Sequence, residues 1–121
     1  MLTEWNAVTM EREEAKAYRY SLEAFQSHVR PGVLELDFVY RKGRQQLEIA
    51  GVRLLEDGKV IAEDIHKGVA GHRPADQLYH LPLTLLRSDA VYEVEVMMHA
   101  KRFASSRGMI FLAYRASLPS D

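Results

Sequence analysis

The chain has 121 residues, 47% of them hydrophobic and 27% charged, with 16 basic residues against 17 acidic ones. This size suits one soluble domain whose core needs no covalent staples. The absence of cysteine excludes a disulfide framework, a thiolate nucleophile and a cysteine-ligated zinc site, and a net charge of −1 argues against nucleic acid as a partner.

Met1 to Trp5 has neither a basic n-region nor an apolar h-region, so no signal peptide is expected within this chain. No membrane span is expected either, because the longest apolar runs, such as Met109 to Tyr114, fall far short of the roughly 20 residues a helix needs. Thr9 to Ala17 is rich in Glu, Ala, Lys and Arg but lacks an apolar stripe, which leaves a marginal helix or an extended lead-in. Residues 1–17 are therefore read as an N-terminal extension, in which Trp5 would anchor the segment on the domain or on another protein.

From residue 18 the period-two signal of strands dominates. Tyr18 to Phe25 is a weak strand, ended by the turn signal Pro31-Gly32. In Val33 to Arg41, the residues Leu34, Leu36, Phe38 and Tyr40 alternate with Glu35, Asp37 and Val39, which places one face on a core and the carboxylates in water. Leu47 and Ile49 start the next run on one parity while Val52 and Leu54 continue on the other, so a bulge is expected at Ala50-Gly51. Asp57-Gly58 between aliphatic runs predicts a two-residue type I′ hairpin. Further strands are expected at Leu78 to Leu85, Val91 to Ala100 and Met109 to Ala116. The fold class that follows is all-β, an antiparallel two-layer β-sandwich over residues 18–116, jelly-roll-like, with a short tail at 117–121.

Two loops rich in Gly, His and basic residues interrupt the pattern, Ile65 to Asp76 and Lys101 to Gly108. Loops on a rigid sandwich commonly carry function. In combination, Leu36-Asp37-Phe38-Val39-Tyr40, Leu47-Glu48-Ile49, Asp57-Gly58-Lys59-Val60-Ile61, Asp64-Ile65-His66, Gly68, Gly71, Tyr79 and Leu81 resemble the accessory β-sandwich (galactose-binding-like) modules appended to bacterial family-20 glycoside hydrolases (β-hexosaminidases) and secreted sulfatases. The resemblance covers roughly residues 33 to 116. It implies a non-catalytic module of a glycan-processing protein, with an extracellular or periplasmic setting. The loop before the last strand departs from that pattern, keeping Ser106-Arg107-Gly108 without the acidic residue expected ahead of it, so no acidic contact is carried over.

A carbohydrate site needs a ring on which a sugar can stack and polar groups that read hydroxyls. His72, Tyr79 and Phe103 are the candidate rings, and Arg73, Asp76, Lys101, Arg102 and Arg107 the candidate polar groups, their basic bias suiting an anionic glycan. The plainer reading, in which Tyr79 and Phe103 pack beneath their loops and the charges are solvated, carries more weight. Asp64 and His66, with Gly68 and Gly71, are read as loop-structural residues that bond the backbone, in preference to a metal site with His72. His80 and His99, within strands, read as half-buried and satisfied. No cofactor is implied. Neither G-x-S-x-G nor a P-loop is present, and Glu93 and Glu95 read as a solvent-facing pair, so no catalytic residue is assigned. The function expected is carbohydrate binding through end loops, or else a structural role packing on a catalytic domain or partner subunit.

Overall fold

Residues 2–7, 10, 14–23, 32–44, 47–70, 77–83, 87, 89–100 and 105–115 are described by a computed structural model. They form nine strands: β1 (Thr3–Asn6), β2 (Lys16–Ser21), β3 (Gly32–Lys42), β4 (Glu48–Glu56), β5 (Lys59–Asp64), β6 (Gly68–Val69), β7 (Leu78–Leu83), β8 (Tyr92–His99) and β9 (Arg107–Arg115). One sheet has the order β1-β9-β3-β7 and the other β2-β8-β4-β5, with β6 added alongside β4. Every pairing is antiparallel. With β6 set aside, the chain winds from the outside of the sequence inwards: β1 pairs β9, β2 pairs β8, β3 pairs β7 and β4 pairs β5, the double Greek key of a jelly roll.

Alternation places Leu34, Leu36 and Phe38 of β3 in one core with Tyr79, Leu81 and Leu83 of β7 and Ile110 of β9. Ile49, Val52 and Leu54 of β4 face them together with Tyr92, Val94, Val96 and Met98 of β8. The parity switch in β4 is a register shift between Ile49 and Gly51, so Ala50 is the extra residue that returns Val52 and Leu54 to the core side. Asp57 and Gly58 adopt φ of 49° and 82°, the left-handed pair that a type I′ turn requires.

The N-terminal boundary differs from the one expected. Thr3 to Asn6 pair with Ile110 to Arg107, so the first strand belongs to the sandwich and is not an extension of it. Trp5 is 3% exposed and lies in the core cluster; burying such a ring contributes on the order of 3 kcal/mol. The segment read as a helix or lead-in resolves toward the second alternative at its end, since Lys16 and Ala17 begin β2. Trp5 stands directly opposite Gly108, where an added Cβ would come within 2.1 Å of the Val39 carbonyl oxygen and 2.6 Å of the indole. Among the described residues no helix is long and apolar enough to cross a membrane.

The Cβ added by Gly108→Ala clashes with both the indole and the β3 backbone, so the two must separate from β9. Urea unfolding is expected to show a loss of about 3 kcal/mol, whereas a loss below about 0.5 kcal/mol contradicts the contact.

Candidate functional site

Of the sequence-predicted site residues, His72, Arg73, Asp76, Lys101, Arg102, Phe103 and Gly71 lie outside the described residues. Tyr79 is turned inward. It is 0% exposed, stacks on His66 with ring centroids 3.9 Å apart, and meets Phe38 edge-on at 5.4 Å. Its hydroxyl donates to the His66 carbonyl at 2.8 Å. The ring is thus occupied by the core and by His66, and as a sugar platform it is set aside. Its parity with Leu81 and Leu83 was the signal for this placement.

Asp64 and His66 act on the backbone and on each other. Asp64 Oδ2 accepts the His80 N–H at 2.8 Å, and Asp64 Oδ1 lies 2.7 Å from His66 Nδ1. An ionised carboxylate only accepts, so the pairing places the proton on Nδ1. The β5 end is tied in this way to β7 across the open side of the sandwich. Among the described residues no group of three His, Asp or Glu side chains is arranged to hold a metal.

Both described flanks of the two loops meet the β3–β4 connection at one end of the sandwich. Ala70 N–H donates to the Leu47 carbonyl at 3.0 Å, and Ser105 N–H donates to that of Arg44 at 3.0 Å. At this end a groove of about 410 Å³ opens between β1, β9 and the end of β3. Its walls include Trp5, Gly108 and Met109, with Arg41, Lys42 and Arg107 at the polar side. Glu4 and Asn6 complete it. The cations are gathered by backbone geometry. Tyr40 opposes Gly108 and Lys42 opposes Arg107, so Arg41 is the extra residue of a bulge that brings two basic side chains beside a third. Like charges directly opposite across a ladder destabilise a sheet. Among the described residues no carboxylate forms an ion pair with any of the three.

Elsewhere Arg19, Arg53, Arg87 and Arg115 are neutralised. On the outer face of the second sheet, Arg19 reaches Glu95 at 3.0 Å, and Arg53 reaches both Glu95 at 3.5 Å and Glu63 at 3.2 Å. Glu95, expected in water, is 7% exposed beneath these two guanidinium groups. Arg87 pairs with Asp57 at 2.9 Å and Glu56 at 3.3 Å. Glu35, also expected in water, is 7% exposed and is clamped by Arg115 at 2.8 and 3.3 Å, with His80 Nε2 at 3.0 Å. Both carboxylate oxygens are therefore occupied, which makes Glu35 a structural anchor. His80 is satisfied as expected, but His99 has a buried Nδ1 without a partner. Trp5 Nε1 is likewise buried and unpartnered.

Sequence reasoning singled out Arg107 and overlooked Arg41 and Lys42. The signal present was the basic run Arg41-Lys42-Gly43-Arg44 at a strand end. Neither a scan of protein-family models nor a search of curated proteins finds a match to this chain.

Burial pushes the Glu35 carboxyl upward, but hydrogen bonds from Arg115 and His80, reinforced by their charges, outweigh it and hold it below its ordinary 4.5. The native state then binds fewer protons here than the unfolded chain, and the stability this provides is complete above the unfolded value and lost as pH falls through the folded one. Urea midpoints below pH 4.5 are expected to fall less steeply in Glu35→Gln than in the parent; equal slopes contradict the clamp.

Proposed function

We propose that this chain is a non-catalytic binding module of a glycan-processing protein and that its ligand is an anionic carbohydrate held in the groove between β1, β9 and the end of β3. The observation that carries the reading is the convergence of Arg41, Lys42 and Arg107, unpaired with any carboxylate among the described residues while Arg19, Arg53, Arg87 and Arg115 are all neutralised. A fold tolerates a cross-strand Lys42–Arg107 pair most readily where a ligand supplies the missing negative charge. Guanidinium forks match planar or tetrahedral oxyanions, and the Met109 side chain provides apolar surface that a sugar ring covers. Lys101 and Arg102 precede Arg107 closely in the sequence and add to the same basic stretch. The family resemblance supports an accessory role in an extracellular or periplasmic glycan-degrading enzyme, and the jelly-roll winding is compatible with it.

A second reading, a structural module packed on a catalytic domain or partner subunit, is favoured by one observation. Val60, Ile61 and Ile65 are 45%, 42% and 52% exposed along the edge strand β5 and the residue following it. It ranks behind the first because nothing in the structure shows what covers that edge.

Calorimetric titration with dextran sulfate and with uncharged dextran separates these readings. The charged polymer is expected to bind, more weakly as salt rises, and Lys42→Ala with Arg107→Ala to reduce affinity at least about tenfold, while Lys59→Ala on the far hairpin matches the parent. Absence of binding, or equal binding by the double variant, removes the groove from the proposal.

A further inference from the structure

The outer face of the first sheet continues from the groove in cross-strand rows. Arg107 lies opposite Lys42 and Asn6, Met109 opposite Val39 and Glu4, and Phe111 opposite Asp37, which in turn lies opposite Leu78. Alternation puts Met109, Phe111, Val39, Asp37 and Leu78 on the face turned away from Leu36, Phe38, Tyr79 and Ile110 of the core. Successive rows stand about 7 Å apart along β9. From the groove outward they run cationic, apolar, then aromatic with a carboxylate.

Phe111 is half-buried, stands outside the core cluster, and meets no other aromatic ring among the described residues. Asp37, opposite it, is half-buried as well. Its Oδ1 accepts from Gln77 Nε2 at 3.0 Å, whereas Oδ2 has no donor among the described residues. Burial, and after it the Glu35 charge, holds the Asp37 carboxyl above its ordinary range against the Gln77 hydrogen bond, so a further donor is favourable there. A ring with a hydrogen-bond acceptor beside it is the combination that seats a sugar unit. Two features favour a glycan over a protein on this face. Protein interfaces are depleted of charge at their centre, yet Asp37 stands between Leu78 and Phe111 in its row. Met109, in the next row, already borders the groove, so one ligand chain reaches both places.

Resting on the anionic-carbohydrate reading above, we infer that the groove is one end of a longer site, in which Phe111 stacks an uncharged sugar unit of the same glycan chain and Asp37 accepts one of its hydroxyls. An ionised carboxylate only accepts and repels an anion, so the unit over Phe111 is the unsubstituted one. The ligand class is therefore an oligosaccharide that carries its negative charge on one unit and leaves a neighbouring unit bare. Met109 and Val39 form the apolar row between the two ends. Stacking on Phe111 adds affinity that salt does not screen, in contrast to the contribution of Lys42 and Arg107.

The probe is a sparsely sulfated dextran oligosaccharide, in which most units are uncharged. Calorimetric titrations at low and high salt are run on the full chain, on Phe111→Leu, which keeps an apolar side chain but removes the ring, and on Phe111→Tyr, which keeps the ring. Phe111→Leu is expected to lower affinity about tenfold at both salt concentrations, since stacking is lost and no charge is removed. Phe111→Tyr is expected to match the parent. Lys42→Ala with Arg107→Ala is expected to lose affinity chiefly at low salt. The parent gives a readout that needs no variant: the Phe111 ring-proton signals are expected to move with the oligosaccharide and to stay still with inorganic sulfate. Unchanged affinity in Phe111→Leu, or ring signals that stay still with the oligosaccharide, overturns the inference. If the Lys42 and Arg107 double variant still loses affinity in that case, the groove reading stands without the Phe111 extension. If the oligosaccharide does not bind the parent, both fall. Ring signals that move on dilution of the protein alone place a second copy of this chain on the face and likewise overturn the inference.

Discussion

The contact of the Trp5 indole with the backbone at Gly108 is the constraint on which the described groove depends. β1 is only four residues long and forms an edge of its sheet, so its ladder with β9 is short. Leu2 N–H to Ile110 at 2.8 Å and Ala7 N–H to Ser106 at 2.9 Å extend it by one bond at each end. What holds so short a strand is its one fully buried side chain, inserted into the core beside Ile110. The indole lies on the core face with Gly108 and Ile110, while Glu4, Asn6, Arg107 and Met109, on the opposite face of the same ladder, border the groove. Core packing and groove are thus two faces of one ladder: any change that lifts the indole also loosens the β1 side of the groove.

Charge is distributed by a comparable logic. A net charge of −1 describes the chain as a whole but not its surface. Arg19, Glu95, Arg53 and Glu63 form an alternating row across β2, β8, β4 and β5, and the Glu35–Arg115 and Arg87–Asp57 pairs cancel further charge. These pairings consume acidic groups at the middle and far end of the sandwich. The end that carries Arg41, Lys42 and Arg107 retains its positive charge, placed by a bulge in β3 where a regular ladder would have sent Arg41 and Lys42 to opposite faces. Near-neutrality in composition and a local positive field therefore coexist without conflict.

The parts of this structure encoded by local pattern were legible in the sequence. Leu34 to Tyr40 alternates openly, Ala50 marks the single-residue parity change, and Asp57-Gly58 specifies its own turn conformation. The parts that depend on distant pairing were not. Glu35 and Glu95 sit on outward faces, as alternation implies, yet their burial comes from Arg115, Arg19 and Arg53, on strands remote in sequence. Trp5 and Gly108 lie near opposite ends of the chain, so no window of residues contains both. Of the candidate site, Arg107 was legible as a loop cation, whereas Arg41 read as the end of a strand and Lys42 was passed over, because the bulge that turns them toward Arg107 leaves no hydrophobic trace. Tyr79 is a candidate ring by sequence, but the weightier reading already packs it beneath its loop, and its burial follows the parity it shares with Leu81 and Leu83.

Trp5 holds β1 from the core side, and the Lys42–Arg107 pair borders the groove. Nitrogen-15 correlation spectra resolve the backbone amides of Lys42, Arg107 and Met109 apart from those of the β5 edge. On titration with a sulfated dextran oligosaccharide, the Lys42, Arg107 and Met109 amides are expected to move together, at one saturating concentration, with Val60 to Ile65 unchanged. Largest shifts along Val60 to Ile65, with the Lys42 and Arg107 amides still, would contradict the groove as the binding site.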